Sequence, residues 1–600
     1  MRARSKYLGS RRKLLLAFDV GTTYSGISFS ILDPGQFPEI KGVTKFPAQD
    51  HISGASKIPT LIYYDQQGRV KAVGAEAKRD GILEQANEEG WSRAEWFKLH
   101  LRPSSQDSST LSGHVPPLPR GKTAVDVLAD FMAYLFSCAA EYIQETHANG
   151  SDLWAQLQSD IYYVLSHPNG WEGFQRQQMR DAAVKAGLVK DANEAGQRIT
   201  FVSEGEASLH FAIHNGLPSG VIENNEGVII VDAGGGTIDL SAYCRVGSSN
   251  SLDVFEEIAV PQCHLNGSLT VTLNARDYLE VFLADSDFVE DLDHIVECFD
   301  RTTKLRFRHG QEPQYIKFGS TRDNDPEFNI RIGQLKLQGS DVALFFAPSI
   351  DCIVNAVLEQ RRTAHRHVSH VVLVGGFSAN DWLYTQISAA LKQKGVNVIR
   401  PDQHVGKAVS DGALSFYLDH FVRARVAKFT YGQFCTVRYD PSDPDHIRRS
   451  KDTFTSYAGE QRLNGHFDVI LKKNTQVQET KEFREDYCRK TVDKNFFRCV
   501  PFKIFCYRGK NVDPKWKDED PDMYSLLCTI EMDFSHLNLV PRHHVQGSQV
   551  TVYYQLDYGI VLSFGLTELK AQIVWEENGQ EYRSPAKIIY DPDITQTNRT

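Results

Sequence analysis

Two aspartates in this sequence each stand between an apolar run and a turn rich in glycine or threonine. Asp19 lies in LLLAFDVGTTYSGISFSIL (14–32), and Asp232 lies in GVIIVDAGGGTIDLSAY (227–243). Such a turn presents successive backbone N–H groups to an anion, and glycine allows close approach because it has no Cβ. A carboxylate beside a phosphate needs a cation between them. Both aspartates are therefore candidate ligands of Mg²⁺ through water.

The two turns themselves supply the candidate phosphate-binding residues. These are Gly21, Thr22, Thr23, Tyr24, Gly234, Gly235, Gly236 and Thr237. Taken alone, the first segment favours an ordinary hairpin whose aspartate caps the turn, because short motifs often match by chance. The second copy changes this interpretation. Two such segments in one chain predict two facing phosphate loops, one from each half of a duplicated fold.

A third glycine turn occurs in HVVLVGGFSAND (370–381). The pattern predicts a strand and then a helix that starts near Ser378 and buries Trp382, Ile387 and Leu391. Glycines at a strand-to-helix turn permit close approach of a ribose or a flat ring, which suits adenosine. The candidate residues there are Gly375, Gly376 and Phe377, although a Gly-Gly pair before a helix is often only a turn. The sequence contains no GxxxxGK[ST] motif, which excludes the P-loop class.

Elements around these turns follow from the apolar patterns. Leu14–Val20 is predicted as a buried strand, and a second strand follows in which Ile27, Phe29 and Ile31 alternate. Further along, 160–166 is predicted as a strand and 174–186 as a helix. These strands and turns predict an α/β architecture for the greater part of the chain.

The C-terminal part has a different pattern. From about Phe421 alternating segments such as SLLCTIEMDF (525–534) and QVTVYYQLDYGIVLSF (549–564) predict strands. Asn578-Gly579 predicts a hairpin turn. This part is therefore expected to form a β-rich module.

Composition limits the function classes. The 600 residues contain 66 Lys and Arg against 76 Asp and Glu, a net charge of −10, which gives no indication of nucleic-acid binding. The 10 cysteines include no CxxC pair, as expected for reduced thiols. The basic N-terminal stretch lacks a cleavage site, and no apolar run is expected to reach the roughly 18–20 residues of a membrane span. We therefore expect a cytoplasmic protein without a membrane partner, with the nucleus as a second location.

Four motifs carry a family resemblance. FDVGTTYSG, VDAGGGTIDLS, VLVGGFSAN and GKAVSDGALSF stand in the order of the phosphate-1, phosphate-2, adenosine and second connecting motifs of the actin-like ATPase superfamily. From about Leu14 to about Asp419 the chain most resembles the 70-kDa heat-shock chaperones, the DnaK family. The resemblance is especially close in the segments 160–188 and 199–213, which have no counterpart in sugar kinases and actins.

The resemblance implies an α/β, duplicated actin-like (ribonuclease H-like), two-lobed ATPase fold that binds ATP or ADP with Mg²⁺. It implies catalytic roles for Asp19, Lys98, Glu204 and Asp232. Glu204, just before a helix, would orient the attacking water or a metal-bound water, and Lys98 would face the transferred phosphate. Pro168 and Arg176 match the proline and arginine by which the chaperones sense nucleotide.

Each of these transferred roles has a structural alternative. Pro168 could merely end a strand, Glu204 could be a helix-start carboxylate, and Lys98 could be a solvated lysine. Asp300 and Lys304 resemble the acidic-then-basic helix that holds adenine and ribose in the family. A surface ion pair at i,i+4 is the competing interpretation of that pair.

The chain also departs from the family pattern. After Gly376 there is no arginine to stack on the base, and the segment VRARVAKFTYG (422–432) is basic where the family has an acidic, apolar linker. A long helical lid and the acidic C-terminal tetrapeptide are not recognisable. The chain therefore resembles the divergent, lid-less branch of the family, and the resemblance does not imply peptide clamping by the C-terminal module.

The sequence thus predicts a basic tail (1–13), a nucleotide-binding domain (14–420, with lobes of about 14–225 and 226–420) and a β-rich C-terminal domain (421–600). The expected function is that of an ATP-hydrolysing, chaperone-type protein whose lobe closure regulates a protein client or co-chaperone. One alternative is a scaffold that binds nucleotide without turnover. The other is a small-molecule kinase that uses 42–54 as part of a substrate loop. The sequence does not predict the oligomeric state.

Overall fold

The first aspartate segment folds into two antiparallel strands, Lys13–Val20 and Tyr24–Leu32, joined by the turn 21–23. This is the predicted arrangement, and the strand Lys13–Val20 also pairs in parallel with Ile161–His167. Both faces of the hairpin are buried along most of its two strands, and the buried Ser28 donates to Asp411 at 2.6 Å. The turn therefore opens from the end of a rigid, two-sided core sheet.

The computed structural model describes residues 4–51, 56–102, 113–217, 221, 226–246, 254–401, 405–478, 481–564 and 568–588. The chain divides into two compact units, 1–171 with 175–422 and 172–174 with 423–600. Part of the segment 42–54, considered above as a kinase substrate loop, lies outside the described residues.

The hairpin is part of the first sheet of the first unit. Its strands are, in spatial order, Lys41–Gly42, Tyr24–Leu32, Lys13–Val20, Ile161–His167 and Ile199–Ser203, and Ile58–Pro59 also pairs with Tyr24–Leu32. The last two neighbours pair in parallel. The core against this sheet contains Phe18, Phe29 and Phe131, each almost fully buried.

A second sheet of the same unit repeats the design around the second aspartate. Its strands are, in spatial order, Asn397–Ile399, Val368–Val374, Gly227–Ala233, Ile238–Val246 and Val254–Glu257, with Gln262–His264 also paired to Ile238–Val246. Gly227–Ala233 pairs antiparallel with Ile238–Val246 and parallel with Val368–Val374. Asp19 and Asp232 thus both lie at the end of a strand that has one antiparallel and one parallel neighbour.

Helices and two small sheets complete the first unit. The helices are Ile82–Glu88, Ala124–Thr146, Gly150–Leu157, Gly173–Lys185, Ala192–Arg198, Glu204–Asn215, Ser268–Phe282, Leu292–Cys298, Lys304–Arg306, Gly339–Thr363, Asp381–Lys392 and Ala408–Asp419. Short helical turns include Gln49–His51, Glu76–Lys78, Phe97–Leu101, Val289–Asp291, Phe299–Thr303, Pro326–Phe328, Phe377–Ala379 and Val405–Lys407. The small sheets join Val70–Val73, Leu61–Tyr64 and Ser92–Glu95, and Gln314–Lys317, Gln334–Leu337 and Ile330–Arg331.

Two helix predictions need correction at their starts. The helix after the third glycine turn begins at Asp381, because the side chain of Asn380 caps it by accepting from the N–H of Leu383. Leu383 takes the buried position, while Trp382 is half-buried. The helix Gly173–Lys185 begins one residue before its predicted start.

By length and composition alone, one helix among the described residues, Gly339–Thr363, could cross a membrane. The expectation that no apolar segment reaches that length is therefore wrong here. Val342, Phe346 and Ile353 of this helix are fully buried in the core of the first unit. Core packing accounts for the apolar character of this face of the helix.

The second unit is built mainly from strands, as the alternating patterns predict. One sheet has the spatial order Phe454–Thr455, Gln461–Leu471, Thr430–Arg438, Val500–Tyr507 and Tyr524–Met532. The other has Glu482–Thr491, Gln549–Phe564, Leu569–Glu577 and Gln580–Arg583, with Arg542–Gln546 paired to Gln549–Phe564 and Lys587–Ile588 to Leu569–Glu577. Val422–Val426 pairs with Gln476–Gln478, and the remaining helical segments are Pro444–Arg448, Ser450–Asp452, Lys494–Arg498, Lys517–Glu519 and Pro521–Met523.

The predicted hairpin in the second unit is confirmed. Asn578 and Gly579 both have positive φ angles, 54° and 77°, between Leu569–Glu577 and Gln580–Arg583. Positive φ at both central residues is typical of a type I′ turn, which matches the twist of paired strands.

Candidate functional site

The first and second glycine turns lie directly against each other. A Cβ added to Gly235 would lie 2.1 Å from Oγ1 of Thr23, and one added to Gly236 would lie 2.5 Å from Oγ1 of Thr22. Real Cβ atoms do not approach other atoms so closely, so these positions require glycine. The structure therefore brings together the two turns that the sequence predicts as facing phosphate loops.

The second turn is also supported from behind. The N–H groups of Ser268 and Leu269, at the start of the helix Ser268–Phe282, donate to the carbonyls of Gly234 and Gly235 at 3.0 and 2.8 Å. The turn 234–237 is thus held between this helix and the threonines of the first turn.

Gly375 of the third turn lies against Asp232. Its φ is +88°, and an added Cβ would lie 2.2 Å from Oδ1 of Asp232, whereas a Cβ on Gly376 would meet no atom within 4 Å. Ser208 donates to the other oxygen of Asp232 at 3.0 Å. The two glycines of this motif therefore differ, because only Gly375 lies close against a carboxylate of the site.

Gly375→Ala and Gly376→Ala form a matched pair. We expect Gly375→Ala to weaken nucleotide binding by roughly 10-fold or more, because it displaces Asp232 and places alanine at positive φ, with a strain of about 1–3 kcal/mol. Gly376→Ala should change affinity less than about 3-fold. Calorimetric titration of both folded variants with Mg-ATP measures this, and equal affinities would contradict the assigned contact.

Four carboxylates and two lysines surround the paired turns. Asp19, Asp232 and Asp239 are buried on the strand ends, and Glu204 is buried at the first position of the helix Glu204–Asn215. Lys98 donates to Oε1 of Glu204 at 2.6 Å, and Lys57 lies 2.6 Å from Oδ2 of Asp19. Lys98 is buried, which excludes the solvated-lysine interpretation.

Mutual repulsion and burial perturb the acids. Burial, together with Glu204 and Asp239, raises the pKa of Asp232 well above its ordinary value, although Lys57 acts in the opposite direction. Burial and the charge of Glu204 likewise raise the pKa of Asp239 to about 7, against hydrogen bonds from Thr237 and the Asn169 N–H. The site therefore holds more carboxyl groups than its two lysines can neutralise when all of them are ionised.

The raised pKa of Asp239 predicts a pH effect on stability. A carboxyl whose pKa rises from 3.8 to about 7 on folding binds its proton more tightly in the folded state, so its ionisation opposes folding above about pH 7. That penalty disappears as the pH falls towards 4. Asp239→Asn keeps an oxygen to accept from the Asn169 N–H and removes the charge.

We expect Asp239→Asn to stabilise the protein by up to a few kcal/mol at pH about 8 and by much less at pH about 5. Urea unfolding without nucleotide or divalent metal measures the difference between variant and wild type at each pH. A difference that does not change with pH would contradict the assignment.

Asp300 and Lys304 form the predicted pair on consecutive helical turns; the lysine is buried, while the Asp300 side chain is 41% exposed. The Lys304 side chain is only 6% exposed, and its ammonium also donates to Ser268 Oγ at 2.8 Å. Burial tends to raise the pKa of Asp300, but Lys304 and the hydroxyl of Thr272 outweigh it, so the pKa is lowered. Through Ser268 this pair is connected to the second turn.

Tyr24, the last residue assigned to the first turn, lies near the same pair. Burial and the charge of Asp300 raise the pKa of its phenol. On the other side, Asn380 donates to the carbonyl of Lys304 at 2.8 Å. Because Asn380 caps the helix that follows Phe377, it joins the Asp300–Lys304 segment to the third turn.

Pro168 directly follows the strand Ile161–His167, and Arg176 lies on the helix Gly173–Lys185. The next residue after the proline, Asn169, makes the connections to the site. Its backbone N–H donates to Asp239 at 2.6 Å, and its side-chain oxygen accepts from the N–H of Gly205 at 3.3 Å. The corner at Pro168 is thus tied to Asp239 and to the start of the Glu204 helix.

The carboxylates and lysines of the site suit a phosphate chain that is bound together with a divalent cation. When ionised, the four carboxylates and two lysines carry −4 + 2 = −2 charges, an excess that one divalent cation would neutralise. Across the described ranges no three His, Cys, Asp or Glu side chains converge as a cage. Mg²⁺ retains several waters and needs only one or two carboxylates beside phosphate oxygens, which Asp19 and Asp232 can supply.

Sequence reasoning missed Lys57, Asn169, Asp239, Ser208, Ser268 and Asn380. Two of them had a recognisable local pattern: Asp239 stands within the second aspartate segment, and Asn380 has the residue type and position of a helix cap. Lys57 is a lone lysine before the apolar run IPTLIYY, a weak indication of function. Nothing local distinguishes the two serines.

Comparisons with known proteins agree with the motif resemblance. The chain is 24% identical over 511 residues to heat shock 70 kDa protein 12A of Mus musculus, covering 71% of this chain and 72% of that protein. It is 23% identical over 562 residues to heat shock 70 kDa protein 12B of Homo sapiens, covering 79% and 78%. The chain is homologous to divergent heat-shock-70-like proteins. No family profile matches it.

This homology confirms the resemblance predicted from the four motifs and fits its divergent branch. Homologues of this kind imply an actin-like ATPase fold. The mixed α/β first unit, with its paired glycine turns, is compatible with that fold.

Proposed function

We propose that this heat-shock-70-like protein binds ATP with Mg²⁺ at the paired glycine turns and hydrolyses it to ADP and phosphate. The observation that carries the proposal is the approach of Gly235 and Gly236 to Thr23 and Thr22, next to two strand-end aspartates. Closure of two lobes around the nucleotide would regulate binding of a protein client or co-chaperone. That partner and the cytoplasmic location stay predictions.

The residues of the site suggest a division of labour. Hydroxyls of Thr22 and Thr23 and the N–H groups of the second turn would hold the phosphates, and Asp19 and Asp232 would hold Mg²⁺ through water. Mg²⁺, when bound, neutralises charge that develops on the phosphates. Glu204, oriented by Lys98, would accept a hydrogen bond from the attacking water and so align it.

Residues around Asp300, Lys304 and Gly375–Phe377 would hold the nucleoside. Their connection to the second turn through Ser268 would keep the base site and the phosphate site in a fixed relation. Catalysis in such a site is mainly positioning and electrostatic stabilisation, so small displacements of these residues matter.

A single-turnover experiment with γ-labelled ATP tests the proposal. We expect wild type to release labelled phosphate and Asp232→Asn to do so about 100-fold more slowly, with a smaller loss of affinity. Ser208 and the glycine at 375 would retain their contacts with the amide, so the change removes mainly the charge.

A second candidate is a scaffold that binds ATP without turnover. The ion pair of Lys57 with Asp19 favours it, because an ammonium already occupies one of the two carboxylates assigned to hydrated metal. In this case bound ATP would be recovered intact, and wild type would be no faster than Asp232→Asn. Absence of ATP binding would contradict both candidates.

A further inference from the structure

Lys57 makes an ion pair where the sequence predicts a hydrated metal. Its Nζ lies 2.6 Å from Oδ2 of Asp19, and the two side chains are 22% and 4% exposed. Asp232 and Glu204 also act electrostatically on this ammonium. A cation belonging to the chain itself is therefore fixed among the carboxylates that face the paired turns.

The backbone around Lys57 fixes it in place. The strand Ile58–Pro59 pairs with Tyr24 and Ser25, and the N–H of Thr60 donates to the carbonyl of Thr23 at 2.8 Å. The lysine segment is thus attached to the first turn itself. A movement of one would be transmitted to the other.

The path of the side chain depends on a glycine. Gly26 is the cross-strand partner of Asp19, and a Cβ on Gly26 would lie 3.3 Å from Cγ of Lys57. The aliphatic part of Lys57 therefore passes over Gly26 to reach the carboxylate. A larger residue at 26 would crowd this path.

The charge of Lys57 and the number of its N–H donors suggest a role in phosphate binding. An ammonium has three N–H donors, more than the single ion pair with Asp19 can engage. The other lysine of the site, Lys98, is paired with Glu204. Lys57 is the better placed of the two to serve phosphate oxygens held by the first turn, because its own segment is attached to that turn.

We propose that Lys57 is a fixed cation of the site: it neutralises Asp19 and contacts the phosphate chain, so that phosphate binding depends only weakly on divalent metal. This inference rests on the proposed nucleotide site. It concerns binding alone and holds whether or not the nucleotide is hydrolysed. Lys57 would bind phosphate directly. Part of the positive charge at the site would then come from the protein itself and not from a metal ion taken up from solution.

The test compares ATP affinity with Mg²⁺ and with EDTA in the full chain. In wild type we expect the removal of Mg²⁺ to weaken binding by less than about 10-fold. In Lys57→Gln it should weaken binding by roughly a further 10- to 100-fold, the range for a lost hydrogen bond to a charged group. Lys57→Arg keeps the charge and should resemble wild type.

Lys45→Gln is the matched control, because Lys45 also lies 2.6 Å from a carboxylate, that of Glu145, but on an exposed surface. It should behave as wild type. Inorganic tripolyphosphate, which has neither ribose nor base, should compete with ATP in EDTA for wild type and much less for Lys57→Gln. Circular dichroism confirms that each variant is folded.

Equal dependence on Mg²⁺ in wild type and Lys57→Gln would overturn the inference while leaving the nucleotide site intact. If Lys57→Gln does not fold, the measurements on wild type alone test the inference. Loss of ATP and tripolyphosphate binding by wild type in EDTA would also overturn the inference. Absence of ATP binding in Mg²⁺ by every protein would instead overturn the proposed function.

Discussion

Gly235→Val should weaken ATP binding by about 100-fold or more in a chain that still folds. A Cβ at this position would lie 2.1 Å from Oγ1 and 2.9 Å from Cβ of Thr23, so rotation of the threonine side chain cannot relieve the clash. The turn cannot retreat either, because the N–H of Leu269 holds the carbonyl of Gly235 from behind. The two turns must separate, so the hydroxyls and N–H groups assigned to the phosphates can no longer bind them together; loss of two hydrogen bonds to a charged ligand weakens binding by about 100-fold or more.

Calorimetric titration with Mg-ATP measures the effect. Gly196→Val is the control, because Gly196 is exposed in the helix Ala192–Arg198 and an added Cβ there meets no atom within 4 Å. It should leave the affinity unchanged. Wild-type affinity in a folded Gly235→Val protein would exclude the paired turns as the phosphate site.

Local patterns predicted the parts of this site that depend on local structure. Asp19 and Asp232 were found because an apolar strand, a carboxylate and a glycine turn are adjacent in sequence, and the strands form where the patterns place them. The two strand pairs also repeat in sequence, which predicted that their turns would face each other. The topology of the two strand pairs then follows, since strands with the same pattern tend to adopt the same pairing.

Residues that act across the fold could not be found in this way. Lys57 reaches Asp19 only because Ile58–Pro59 pairs beside the first turn, and Asn169 reaches Asp239 only because two different sheets end at the same place. Such contacts depend on the packing of elements that are distant in sequence. A single lysine or asparagine forms no periodic pattern, so the sequence gives no sign of these contacts. The burial of Lys98 is of the same kind, because charged residues are rarely fully buried unless they are paired.

Lys98→Met should lower the free energy of unfolding by about 3–5 kcal/mol, since it leaves the carboxylate of Glu204 buried without its ammonium partner. Both side chains are about nine-tenths buried, at 7% and 11% exposure, so solvent does little to replace the lost charge. Glu204→Gln should destabilise for the converse reason. The double variant Lys98→Met/Glu204→Gln should lose clearly less than the sum, because it buries no unpaired charge.

Hydrogen exchange of the helix Glu204–Asn215 in the full chain measures these changes locally, so the second unit does not affect the comparison. Lys45→Met, which breaks the exposed pair with Glu145, is the control and should change stability by less than about 1 kcal/mol. Additive effects of the two single substitutions would show that Lys98 and Glu204 are not coupled. In that case the proposal that Lys98 orients Glu204 towards the attacking water would fail as well, because an uncoupled lysine cannot fix the position of the carboxylate.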